Sequence, residues 1–399
     1  MKQLRALTLI GPGFVVAATG LGAGDLVAAA VAGASLGTAL LWAIAFGAII
    51  KLALNEGLAR WQLASGTTLL AGWLQHLPRW INYYFLAYLF IWAFLVGAAL
   101  MAACGLAANA LFPQLSINSW ASLHSLLAIA LVLFGRYSLF EQAMKVLILL
   151  MFATVMAAIL ASDWSTVGRT SSTTFNDINQ HFNLVMALIG GVGGSVTLLC
   201  YGYWMREKGW HNTESLTLAR IDLIVAYSIT ALFGMGIMIL AAQSAPTSAS
   251  GTHILLAMAD QLGVLLSPIF RELFLIGVWA AVFSSMLGVW QGVPYIFTDV
   301  TAQWRSSVAS IDASSPSYRL ALLYIAIPPI ALLYMGKPVW LIILYSVTGA
   351  LFMPFLALTL LHLNNRIIAP ALRYGAISNI AIVLALIVFS FIGGQYFLS

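Results

Sequence analysis

Charge is scarce in this chain of 399 residues: Asp, Glu, Lys and Arg together make up 7% of it, against about 25% in an ordinary soluble domain. So few charges cannot wet a globular surface, which excludes a free water-soluble fold. Cysteine is nearly missing as well. The two present, Cys104 and Cys200, lie inside apolar stretches, so there is neither a disulfide framework nor a Cys-x-x-Cys metal motif. Six histidines without a His-x-x-x-His pair provide no cluster of the kind manganese, iron or zinc sites use. A Ser/His/Asp set, a His-Glu-x-x-His motif and a phosphate-loop pattern are all missing, which argues against an enzyme, and no cofactor is implied. The formal net charge of +5 comes from basic residues scattered singly, not from a patch. Nucleic acid is therefore not an expected partner, and membrane lipid is the expected surrounding.

What the chain has in abundance is hydrophobicity, with 62% of residues apolar. The apolar residues come in runs of the length that crosses a bilayer as helix, about 20 residues. The expected fold class is an all-α integral membrane protein with about eleven spans, at 7–33, 37–64, 81–112, 119–136, 138–162, 182–205, 217–243, 269–300, 318–335, 338–363 and 373–397. Lys2 and Arg5 precede the first span with no small-residue cleavage site behind them, so that span is expected to be retained. Basic residues set the orientation. A cytoplasmic N-terminus places Arg60, Arg79, Arg136, Arg206, Lys208, Arg305, Arg319, Arg366 and Arg373 on cytoplasmic connections, and leaves Arg169, Lys337 and Arg271 outside. In a plasma (inner) membrane the C-terminus then ends outside. The polar connections Ser162–His181 and Gln243–His253 also fall outside, as linkers or as cover for the mouth of a pathway.

Two spans are interrupted by glycine. The first contains Gly20-Leu21-Gly22-Ala23-Gly24-Asp25, and the sixth Gly190-Gly191-Val192-Gly193-Gly194-Ser195. Glycine costs about 1 kcal/mol in a helix interior, so these clusters mark unwound segments whose freed amides and carbonyls face a ligand. Breaks five spans apart are the spacing of two five-helix units of inverted topology, 1–162 and 163–365, with 366–399 as an accessory helix. Substrate is then expected where the breaks cross, against Gly22, Gly24, Asp25, Gly190, Gly193, Gly194 and Thr197.

An ionisable group near the bilayer centre costs at least about 3 kcal/mol and is kept for a reason. Asp25 directly follows the first break, as a substrate, metal or proton ligand or as a cap on the helix behind it. Lys51 lies mid-span, as partner to a carboxylate or as a fixed positive charge standing in for a bound cation. Ser284 and Ser285 supply hydroxyls for a second, coupling ion such as sodium, or small surfaces for close helix packing. Glu56 with Arg60, and Glu141 with Lys145, are spaced for i,i+4 ion pairs. Asp222 and Asp299 are expected to meet loop arginines or an inner gate. Tyr201 and Tyr203 line a cavity or form an interfacial belt.

Gly11-Pro12-Gly13, the break at Gly22 to Asp25, the stretch 30–37 with Trp42, and Leu63-Ala64-Ser65-Gly66 together resemble the Nramp metal-ion transporters from residue 11 to 66. A fainter likeness continues through span 6 to Arg206 and through Ala280–Gly292, with Ser284-Ser285 at a Gln-Ser-Ser run of the family. The resemblance implies a LeuT-type fold of inverted repeats and a substrate site at the two breaks. It also shows departures. The family's Asp-Pro-Gly-Asn, whose Asp and Asn bind metal, corresponds ungapped to Gly22 through Asp25. The Met-Pro-His of its sixth helix is matched by Val192-Gly193-Gly194, and its second histidine there falls at Leu199. No Met or His lies between Ala187 and Tyr203.

Two functional readings follow. One is a secondary transporter of a hard divalent cation such as magnesium, with Asp25 as its carboxylate and protons or sodium as coupling ion. A hard, reluctantly dehydrated ion suits one carboxylate and backbone carbonyls. The alternative is a transporter of a small organic cation or amino-acid-like zwitterion, held between glycine amides and Asp25.

Overall fold

Long apolar runs satisfy their own backbone groups inside a bilayer only as helix or closed barrel. The computed structural model describes residues 11–162, 182–244, 253–304, 312–335 and 338–398, and among these it is helical with no strand. In chain order the helices are α1 (Pro12–Gly20), α2 (Ala23–Leu36), α3 (Leu41–Ser65), α4 (Leu69–His76), α5 (Arg79–Leu111), α6 (Ile117–Phe134), α7 (Tyr137–Ala161), α8 (Phe182–Gly191), α9 (Cys200–Glu207), α10 (Leu216–Ser244), α11 (His253–Leu265), α12 (Pro268–Trp304), α13 (Pro316–Ala326), α14 (Ile330–Leu333), α15 (Pro338–Arg366) and α16 (Ala376–Leu398). Among the described residues nine helices are long and apolar enough to cross a membrane, and the bent pair α1–α2 makes a tenth span. The 29-residue α15 occupies the place of the tenth span expected from sequence. The chain is an integral membrane protein.

Both interruptions form where the glycines stand. α1 and α2 meet at 59°, and α8 is joined to α9 through a loop and a 3-10 turn, Val196–Leu199. Three features differ from expectation. α4 and α11 are helices where connections were expected, each too short to cross. The ninth span stops at Ala326 and resumes at Ile330, because Pro328 and Pro329 cannot donate backbone hydrogen bonds. The connections 163–181 and 245–252, with Arg169, and likewise Lys2, Arg5, Arg305 and Lys337, lie outside the described residues.

α12 is the central wall, packed on α5, α7 and α1, while α10 runs along α1, α2 and α3. α8 packs on α3 and α2, and α15 on α5 and α16. Large apolar side chains such as Ile49, Leu126, Leu149 and Ile387 point outward and exposed; in a bilayer they meet acyl chains rather than water. The end of the bundle that holds the start of α1 carries two ion-pair clusters. Glu56 binds Arg60 at 2.7 Å and Arg220 at 2.9 Å, and Glu141 binds Lys145 at 2.6 Å and Lys208 at 2.9 Å. Both i,i+4 pairs expected from sequence form, and each acquires a third member from the second half of the chain.

Candidate functional site

The last carbonyls of any helix lack intrahelical partners, and at the end of α1 hydroxyls from α12 supply them. Ser285 Oγ donates to the Thr19 carbonyl at 2.8 Å, and Ser284 Oγ to the Ala18 carbonyl at 3.1 Å. The chain then leaves the helix at Leu21 and is extended at Gly22 before α2 begins. Asp25 sits in the first turn of α2, where the helix dipole favours a negative charge. Its Oδ2 accepts the Gly22 amide at 3.2 Å, so Asp25 caps its own helix. Its Oδ1 faces span 6: a Cβ placed on Gly191 would lie 2.6 Å from that oxygen. Gly24 lies in the same first turn, and its amide is one of the donors such a turn leaves without an intrahelical acceptor. Tyr345 and Ser285 crowd Gly22 from the other side, at 3.0 and 3.6 Å from where its Cβ would stand.

The second break has a different support. Gly193 and Gly194 take φ of +82° and +80°, a left-handed backbone that glycine adopts without steric cost. A side chain at Gly193 would strike the Tyr227 ring at 2.6 Å, and one at Gly194 would strike Thr197 Oγ1 at 2.4 Å. Into this loop reaches Lys51 from α3, fully buried. Its ammonium donates to the Gly190 carbonyl at 3.2 Å and to the Gly194 carbonyl, and it stands 5.3 Å over the Phe389 ring. One turn further along α3, Asn55 Nδ2 donates to Tyr227 Oη at 3.2 Å. The charges of Lys51 and Asp25 act on one another without forming an ion pair among the contacts of the described residues.

The two breaks touch. A Cβ on Gly20 would lie 2.8 Å from the Gly193 carbonyl carbon, so backbone meets backbone. Beside the contact, Leu21, Asp25, Ala187, Val192, Thr230 and Phe233 line a cavity of about 10 Å³, the space of roughly one water. Of the residues singled out from sequence, Gly22, Gly24, Asp25, Lys51, Gly190, Gly193, Gly194 and Thr197 gather here, Thr197 buried in the 3-10 turn beside Gly194. Ser284 and Ser285 lie on the α1 side. Sequence reasoning missed Asn55, Tyr227, Tyr345 and Phe389; of these only Asn55 carried a signal, as a polar residue one helical turn from Lys51.

Towards the ion-paired end the carboxylates have partners other than the arginines expected. Asp222 accepts from Tyr201 Oη at 2.9 Å and lies against Gly13 at the start of α1. Asp299 accepts from Tyr203 Oη at 2.8 Å and from Gln303 at 3.3 Å. Residues two apart on a helix project about 200° apart, so Tyr201 and Tyr203 serve opposite walls. Both are buried and do not form an interfacial belt. Beyond them Gln62, Thr67, Thr68, Gln75, Arg206 and Gln303 line an open polar vestibule of about 330 Å³. Among the described residues no group of three or more His, Cys, Asp or Glu is placed to hold a metal ion.

A family model described as natural resistance-associated macrophage protein-like matches residues 13–399. Curated proteins yield no sequence match. Among solved structures, a mutant of the Eremococcus coleocola manganese transporter superposes with a TM-score of 0.80 at 14% identity, over 97% of this chain and 85% of that one. MhsT in complex with L-phenylalanine gives 0.55 at 16% identity, over 94% and 98% of the two chains. A nucleobase-cation-symport-1 family transporter, closed with bromovinylhydantoin bound, gives 0.59 at 12% identity, over 96% and 91%. At such identities the likeness is one of fold, and the fold is of the LeuT type.

Proposed function

The chain belongs to the natural resistance-associated macrophage protein-like (Nramp) family, and on that premise we propose that it is a secondary transporter moving a hard divalent cation, magnesium foremost, by alternating access. The observation that carries the reading is the direct crossing of the two broken spans, with Asp25 Oδ1 turned into the crossing. The ligand set there is thin: one carboxylate, backbone groups, and no thioether or imidazole between residues 187 and 203. Magnesium tolerates this because it keeps several waters and binds through one or two carboxylates, whereas manganese or iron would lack the softer ligands that hold them tightly.

Several features support the rest of the scheme. Packing partners recur between residues 1–162 and 163–365: α7 on α12 parallels α15 on α5, α5 on α6 parallels α12 on α13, and α1 on α10 parallels α8 on α3. That is the pattern of two inverted five-helix units with α16 as the accessory helix. Basic residues gathered at the end holding the start of α1 favour a cytoplasmic side for that end and for the vestibule, and an outside C-terminus. The Ser284 and Ser285 hydroxyls spend their protons on the carbonyls that a sodium ion beside α1 would need, which favours protons over sodium for coupling.

A second reading is favoured by Lys51 together with the N-terminus of α2. Both present positive charge to the crossing, and opposite Asp25 they suit an amino-acid-like zwitterion. Uptake into proteoliposomes decides, comparing magnesium, manganese, labelled amino acids and amines with and without a proton gradient. Magnesium flux that is lost in Asp25→Asn supports the first reading. Flux of an organic solute alone would overturn it in favour of the second.

A further inference from the structure

Helix α8 ends at Gly191, so the carbonyls of its last turn, Gly190 among them, have no partner within the helix, and they carry the negative end of its dipole. The Gly194 carbonyl, on the far side of the loop, is turned back by the left-handed conformation at Gly193 and Gly194. The two oxygens converge on one point. Carbonyls freed by an unwound helix and aimed at a common centre are what transporters use to hold a small cation.

Here that centre holds the end of a side chain. Lys51 comes from another element, α3, and is fully buried. An ammonium has three donors and no acceptor: two meet Gly190 and Gly194, and the remaining side looks onto the face of Phe389 from α16, where the ring quadrupole attracts positive charge. Among the described residues the charged group acting on it from a neighbouring element is Asp25 of α2, which is not in ion-pair contact. Asn55 and Tyr227 nearby are neutral and are bonded to each other. Lys51 thus makes the contacts of an ion in a carbonyl site, not those of half a salt bridge.

We propose that Lys51 is a tethered cation: its ammonium fills a site in the span 6 break that would otherwise take a monovalent cation from solution, an alkali ion or an alkylammonium. Being covalently attached, it is present at any ion concentration and is not carried across. The break keeps its shape in every stage of the cycle without a diffusible ion at this position. The inference deepens the transport reading above and rests on it only in treating the break as part of a carrier.

The test is thermal unfolding of purified full-length protein in detergent, in a bulky organic-cation buffer with sodium, potassium or methylammonium chloride added at constant ionic strength. The wild-type Tm is expected to be the same in all of them. Lys51→Met is expected to lower Tm by roughly 5 °C and to regain at least about half of that, saturably, with one or more of the small cations. Lys51→Gln keeps hydrogen-bond donors but not the charge, and is expected to gain the same cation dependence should the methionine variant fold poorly. A wild-type Tm that itself rises with small cations would overturn the proposal. So would variants that fold yet ignore every cation, or that fold in none of the salts, since an ion from solution is then no substitute. Magnesium uptake is read separately: its failure removes the proposed substrate and leaves this salt response standing, and the reverse outcome removes only the tethered cation.

Discussion

The two breaks solve one backbone problem by opposite means. At the first, the freed groups are met by neutral hydroxyls from α12 and by a carboxylate three residues along the same chain, Asp25 on Gly22. At the second, they are met by a positive charge that arrives from 139 residues away, Lys51 on Gly190. A fold built from repeating units thus repeats its backbone interruption without repeating its electrostatics. The negative break is left with an oxygen turned towards span 6, while the positive break is filled from within.

The sharpest way to break this comparison is to remove the one negative charge. Asp25→Asn keeps the shape of the side chain, so Tm is expected to move little, whereas substrate affinity is expected to fall by about 3 kcal/mol, roughly a hundredfold. Proteoliposome uptake at limiting substrate checks it, and a near-normal rate would reduce Asp25 to a helix cap. Next in size is Gly193→Ala, which forces a left-handed residue onto the Tyr227 ring and is expected to cost about 2 kcal/mol or more. Gly190→Ala sharpens the contrast, because its Cβ would meet nothing nearer than Ile392 at 3.8 Å; its denaturation midpoint is expected to stay close to wild type. Ser285→Ala orphans the Thr19 carbonyl and is expected to cost about 1 kcal/mol, read by the same denaturation assay. The smallest effect belongs outside both breaks. Arg271 pairs with Asp260 and Glu272 at an exposed helix start, and Arg271→Gln is expected to change stability by less than about 0.5 kcal/mol. A larger change there than at Ser285 would show that the breaks are not where the fold is most tightly held.

Most of the fold was legible because hydropathy reports it directly: the span limits expected from sequence fall within a few residues of α3, α5, α6, α7, α10 and α12. α4 and α11, with 8 and 13 residues, escaped because a membrane-length window averages them into their connections. Pro328-Pro329 was in plain view, yet proline is tolerated in membrane helices often enough that the interruption at Ala326 could not be read from it. In the site, the glycines and Asp25 were legible because their backbone cost and charge are properties of the residues themselves. The partners of Lys51 were not, because they are carbonyls, which every residue has. The pairing of Tyr201 with Asp222 and of Tyr203 with Asp299 was overlooked for a related reason: a search for opposite charges passes over hydroxyls, although a phenol can satisfy a buried carboxylate without bringing in another ion.

The approach of Gly20 to Gly193 has a mechanical meaning. Where helices touch through side chains, rotamers can flex and absorb a small displacement of one before the other feels it. Here two main chains bear on each other with no such cushion, like gears cut without backlash. A pivot of α1 at its break is passed at once to the loop that α8 and α9 share, and with it to the point where Lys51 is seated.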